Sequence, residues 1–246
     1  MKLGPTHLGA MMVQWQGAAM GQWQLGLFGN WRLQRDGEEV PVSHREQRLI
    51  AALALHGRSP RAFLADLLWP DSTRSLALES LRVSLWSIVH NLPGLLAGTR
   101  DPLELGSTVE VDVHEVEAWA AGCEGSQGYK ALVLQAPAEL LPGWHDDWVF
   151  AQRDRVGQLR VRALEMVAEQ FLREEAYDRA VEAASLAAAL DPFRENAHRL
   201  IIHAHLLAGN RASAAQSYRQ FSAKVTRELG VGPSAELTEL IRRLGT

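Results

Sequence analysis

The sequence predicts a mainly α-helical chain with a small β component, in which a unit of short strands and three helices comes first and an all-helical repeat domain follows. Three observations carry this. Strand and hairpin signals run from Gln24 to Val113 and vanish afterwards. Between them lie three stretches of helical apolar spacing, around Leu49 to Ala54, Phe63 to Leu68 and Leu78 to Val89. Beyond Val113 small and apolar residues recur with a period of 34 residues.

The first unit opens with Leu25, Leu27 and the Phe28 to Leu33 stretch, read as strands, and Arg35-Asp36-Gly37 supplies hairpin turn chemistry before Val40 and Val42. Ser43, with Glu46 three residues on, makes a capping box, so the first helix runs from there to about His56. Gly57 to Pro60 breaks it, and a short helix follows over Arg61 to Leu68. Trp69-Pro70-Asp71-Ser72 stops that helix and starts a third, about Thr73 to Asn91, with Leu78, Leu81, Leu85, Ile88 and Val89 as its apolar face. Trp86 is expected as a core or interdomain aromatic. Leu95 to Thr99, the Arg100-Asp101-Pro102 turn, Leu103 to Leu105 and Val109 to Val113 read as a closing hairpin. Sheet, three helices and hairpin is the element order of a winged helix-turn-helix, in which the third helix enters the major groove.

In the second unit Gly122 to Gly128 is read as a loop, Pro142-Gly143 as a stop, and Trp148 to Arg173 as a long helix. Ala180, Ala184 and Ala187 map 34 residues on to Ala214, Tyr218 and Phe221, while Val167, Leu172 and Glu175 map to Ile201, Leu206 and Gly209. This is the tetratricopeptide spacing, in which small residues let paired helices approach. Asp191-Pro192 separates the hairpins and a capping helix is expected from Ser234 to Leu244. The division is therefore 1–23 as a disordered or mis-started extension, marked by Met11, Met12 and Met20, 24–112 as a winged helix and 113–246 as a helical repeat domain.

Composition excludes several classes. The 246 residues are 47% hydrophobic and 22% charged, which describes a globular chain and not a disordered one. The longest apolar run, Leu49 to Leu55, falls far short of the roughly 20 residues a membrane span needs. Gln14 and Gln16 interrupt any secretory signal, and the lone Cys123 forms no internal disulfide, so the expected compartment is the cytoplasm and no membrane partner is expected. Net charge is −4, with 25 Lys and Arg against 29 Asp and Glu spread evenly over both halves, so no strongly basic footprint marks either one.

Several motifs then carry a resemblance. Leu68-Trp69-Pro70-Asp71-Ser72 leading to Leu81-Arg82, Leu140 to Val149 (LLPGWHDDWV), Ala189-Leu190-Asp191-Pro192, Ala197-His198-Arg199, Ala208-Gly209-Asn210-Arg211 and Glu228 to Ser234 (ELGVGPS) resemble the SARP-type regulators. These are bacterial transcriptional activators with an OmpR-type winged helix followed by a bacterial transcriptional activation domain. The resemblance covers about residue 24 to the end, and it implies binding to promoter direct repeats, contact with RNA polymerase and a scope for homodimers. Family members commonly carry several cations in the second half of the third helix, whereas Val83 to His90 here holds no arginine or lysine.

The expected DNA contacts are Arg82, presenting a fork to guanine, Arg74, Arg45, Arg48 and Arg100 on phosphates or bases, and Ser80, Ser84 and Ser87 as hydroxyl donors. Arg82 is expected to share an outer face with Ser75 and Glu79. The thin basic patch keeps one alternative open, a non-DNA-binding interaction or adaptor protein with a degenerate winged helix and a partner-docking repeat. No acid, base and nucleophile set converges, so no enzyme is expected. His145-Asp146-Asp147 reads as an ordinary helix start with Asp146 or Asp147 as the cap, and His198, His203 and His205 miss the i, i+4 spacing of a metal face, so neither metal nor cofactor is expected. No Gly-rich phosphate loop of the Walker type is present in the sequence.

Overall fold

The computed structural model describes residues 22–121 and 138–242. Four short strands make one sheet in the order β3-β2-β1-β4: β1 Trp23–Gly26, β2 Arg32–Arg35, β3 Glu38–Glu39 and β4 Val109–Val111. β1 and β2 pair antiparallel, with Leu25 opposite Leu33 and both side chains buried. The β2–β3 turn is the two residues Asp36 and Gly37, with φ of 54° and 87°; both are left-handed, as a tight hairpin matching strand twist demands. Because β1 begins at Trp23, whose indole is buried, the sheet starts inside the span expected to be an extension. The rest of that span, residues 1–21, lies outside the described residues, as does the expected 122–128 loop with Cys123.

Three helices follow: α1 His44–His56, α2 Arg61–Leu68 and α3 Arg74–Asn91. The capping box at Ser43 and Glu46 is present. α1 buries every residue from Leu49 to Leu55, so it is the axis of this unit. α3 buries Ala77, Leu81, Ser84, Leu85 and Ile88. Val89, expected on that face, is exposed instead.

The closing hairpin differs from the expected one. Ala97 N–H donates to Glu104 O at 3.1 Å and Gly106 N–H to Leu95 O at 2.9 Å, which forms the wing, while Leu103 bridges back to Ser59. A Cβ on Gly106 would stand 2.7 Å from Gly94 O, so the base of the wing closes only around glycine. Val109–Val111 does not extend this hairpin. It pairs parallel to β1, with Val111 opposite Leu25, and Asp112 and Val113 already belong to α4 Asp112–Ala120. The reason is a contact between segments far apart in the chain: the Asp112 carboxylate accepts from Leu27 N–H at 2.7 Å and Phe28 N–H at 3.0 Å, fastening the start of α4 to the end of β1.

The second part consists of α5 Asp147–Arg173, α6 Tyr177–Leu190, α7 Glu195–Leu207, α8 Arg211–Leu229 and α9 Ala235–Arg242. The 34-residue period holds down to single hydrogen bonds. Ala176 N–H donates to Phe171 O and Asn210 N–H to His205 O, at 2.9 and 2.8 Å; Glu175 N–H donates to Leu172 O and Gly209 N–H to Leu206 O. Glu175 and Gly209, at equivalent places, have φ of 58° and 76°. Ala180, Ala184, Ala187 and Ala214 are fully buried, as helices approaching through small residues require.

A single buried cluster runs from Trp23 through Ala204, so the two parts share a core. The segment before α5 returns to the sheet: Leu141 N–H donates to Leu27 O at 2.8 Å and Gly29 N–H to Glu139 O at 2.9 Å.

Candidate nucleic-acid interface

α3 turns one side to the core and the other outward. With about 100° between successive residues, Ser75, Glu79, Arg82 and Trp86 line the outer side, and all four are exposed. Arg82 thus shares a face with Ser75 and Glu79. Arg74 is exposed at the first turn of the helix. Arg45, on α1, is carried to its edge: its guanidinium donates to Ser80 O at 2.7 Å and lies over the Trp69 ring at 5.6 Å. Arg100 is exposed on the wing, beside Arg58, which the sequence reading passed over because nothing in its neighbours marks it. The wing keeps its shape through Arg61, whose N–H donates to Asp101 at 2.8 Å and whose guanidinium donates to Thr99 O.

Two of the expected contacts leave the set. Ser84 is 2% exposed and its hydroxyl donates inward to Ser80 O at 3.0 Å, so a duplex lying against the outer side of α3 is out of its reach. Arg48 donates to Leu68 O at 2.7 Å and pairs with Asp146 at 2.5 Å, which ties α1 to the start of α5. Sequence reasoning missed this because the partners are 98 positions apart. Ser80 and Ser87 are half-buried, and Ser87 accepts from Asn91 at 3.1 Å.

Trp86 is the largest correction. It is 65% exposed, and its ring stacks on His90 at 4.7 Å and 19°. Position 86 is five places from the buried Leu81, which puts it on the far side of the helix.

Behind α3, the motifs around Trp69 and Trp144 meet. Leu68 to Ser72 and His145 to Trp148 line one cleft with Arg48. Asp146 occupies the N-cap position of α5 but makes no side-chain cap hydrogen bond, because its carboxylate faces Arg48. Trp144 packs edge-on to His44 at 5.1 Å and to Trp148 at 6.4 Å. Arg155 donates to Leu55 O at 3.1 Å and pairs with Glu117 at 2.9 Å, and His114 bonds Ala54 O at 2.8 Å. The burial of His56 and the Arg155 charge lower its pKa.

Among the described residues no group of three or more His, Cys, Asp or Glu is placed to hold a metal ion, and no helix is long and apolar enough to cross a membrane. His198 stacks on Phe221 at 4.1 Å and bonds Pro192 O at 3.2 Å.

Comparison with known proteins bears on this arrangement. Residues 129–244 match the family model described as bacterial transcriptional activator domain. The helices α5 to α9 all lie within that matched span, behind the sheet and three helices of the winged unit. It is 28% identical over 226 residues to the regulatory protein AfsR of Streptomyces coelicolor, covering 85% of this chain and 23% of AfsR. To AfsR of Streptomyces griseus it is 26% identical over 216 residues, covering 82% of this chain and 22% of that one. The chain thus spans less than a quarter of the length of these curated relatives. Mycobacterium tuberculosis EmbR, solved in complex with a low-affinity phosphopeptide, superposes with a TM-score of 0.67 at 20% identity, covering 91% of this chain and 65% of EmbR. That likeness shows a fold shared across both parts of the chain.

Proposed function

We propose that this chain is a DNA-binding transcriptional regulator, an activator that binds promoter repeats through residues 24–112 and contacts RNA polymerase through the helical repeat of residues 113–246. The observation that carries the reading is the union of an activation-domain match over residues 129–244 with a winged helix whose α3 packs one side on the core and leaves the other exposed. Arg82, on the outer side of α3, is the base-reading residue, because an arginine fork fits the O6 and N7 of guanine. Arg45, Arg58, Arg74 and Arg100 neutralise phosphates.

These exposed arginines fix the salt dependence. Apart from Arg82, which reads a base, they supply at most four phosphate contacts per chain, so log affinity against log salt has a slope shallower than about −4, at roughly −0.9 per phosphate contact. Titration of duplexes selected from a random pool, at two salt concentrations, checks this. Arg82→Ala should weaken a selected site about 5- to 150-fold while leaving random duplex nearly unchanged, in line with about 1–3 kcal/mol for a bidentate base contact. If no duplex is enriched over random at low salt, the DNA reading falls. A second reading, in which the winged helix docks a protein, then takes its place. The observation behind that second reading is the set of exposed apolar side chains on α3, Leu76, Val83, Trp86 and Val89.

A further inference from the structure

Leu76, Val83, Trp86 and Val89 of α3 are 56%, 51%, 65% and 43% exposed. Val83 and Trp86 are three residues apart, close to one turn, so they stand side by side on the outer stripe with Glu79 before them and His90 after. The Trp86 and His90 rings form one plate, nearly parallel at 4.7 Å. No side chain from elsewhere is paired with this plate among the described ring contacts.

We propose that this stripe reads the C5-methyl groups of thymine in the major groove, with Val83 and Trp86 as specificity-determining residues beside Arg82. The inference rests on the DNA-binding reading above and adds to it the base that the site must contain. Apolar side chains pressed onto polar base edges strip water from donors and acceptors without replacing it, which is costly. The one apolar group that the major groove offers is the thymine methyl. A valine and an indole at the centre of a reading helix therefore favour steps rich in thymine and disfavour guanine at the positions that they cover.

Charge argues for nucleic acid as the occupant of this face. Arg74 and Arg82 lie on α3 itself, Arg45 is held at its edge by Ser80 O, Arg100 stands on the neighbouring wing, and Arg58 lines the same hollow as Arg100 from the α1–α2 connection. Cations that border an apolar stripe suit a groove with methyls in its floor and phosphates along its walls. Glu79 is the single acidic residue of α3, and inside a groove its carboxylate accepts from the cytosine N4 amino group.

The test uses the full chain and a duplex enriched by it from a random pool. Each thymidine is replaced in turn by deoxyuridine, which removes the methyl and keeps every hydrogen-bonding group and every charge. At one or two positions binding should weaken about fourfold, the effect of one buried methyl. Val83→Ser should abolish that sensitivity at one position and Trp86→Ser at another, with melting temperatures unchanged because both side chains are exposed. Deoxyuridine duplexes that bind as tightly as their thymidine parents overturn the inference and leave the DNA reading intact. If, in addition, the serine variants weaken association with RNA polymerase, the stripe is a protein-docking face. A pool from which nothing is enriched overturns the DNA reading and this inference together.

Discussion

Arg48 offers the sharpest test of how the two parts of the chain are joined. Truncation to alanine removes one guanidinium nitrogen that serves both Leu68 O and the Asp146 carboxylate. Each side chain of the pair is 20% exposed, so the pair is neither a surface contact nor a sealed one. A surface pair contributes under about 1 kcal/mol, while removing one partner of a fully buried pair costs about 3–5 kcal/mol. With four-fifths of each group covered, and the hydrogen bond to Leu68 O lost as well, Arg48→Ala should cost about 2–3 kcal/mol. Asp146→Ala should cost less, about 1–2 kcal/mol, because Arg48 keeps its bond to Leu68 O. The double variant should be more stable than the sum of the singles implies, with a coupling of about 1–2 kcal/mol. Urea unfolding followed by circular dichroism and by tryptophan fluorescence measures all four proteins, with coincident transitions expected because one core spans both parts. A loss below about 0.5 kcal/mol for Arg48→Ala, or strictly additive costs, would refute this account of the joint. Arg48→Ala binding DNA poorly at full stability would restore Arg48 to the interface.

Two further outcomes follow from the geometry. Glu175 occupies the left-handed turn position that Gly209 fills one repeat later, and it is exposed, so Glu175→Gly should relieve strain and raise stability by about 0.5–1 kcal/mol in thermal unfolding. Burial lowers the pKa of His56, His198 and His203, so the unfolded chain takes up protons first on acidification. Stability should therefore fall as pH drops below about 6.5, and His203→Gln should shallow that fall; a melting temperature that is flat or rising between pH 7.5 and 5.5 would contradict it.

Much of the fold was legible because it rests on local rules. The capping box at Ser43, the Asp36-Gly37 hairpin and the 34-residue period that maps Ala180 onto Ala214 each depend on residues within a turn or a repeat of one another, and each stands where the sequence placed it. The outward position of Arg82 was legible for the same reason, since helical spacing fixes it once Leu81 and Leu85 are inside.

What only the tertiary structure decided involves partners far apart in the chain. The parallel pairing of Val109–Val111 with β1, the tie between Asp112 and the Leu27 and Phe28 amides, and the pairing of Arg48 with Asp146 join segments that carry no mark of each other in the sequence. Trp86 belongs here too. An indole on a helix suggests a core, but the core side of α3 was already filled by Leu81, Ser84, Leu85 and Ile88, and packing left the ring no place except outside. Periodicity assigns a side chain to a face; which face meets the rest of the molecule depends on close packing among elements that the chain brings together only on folding.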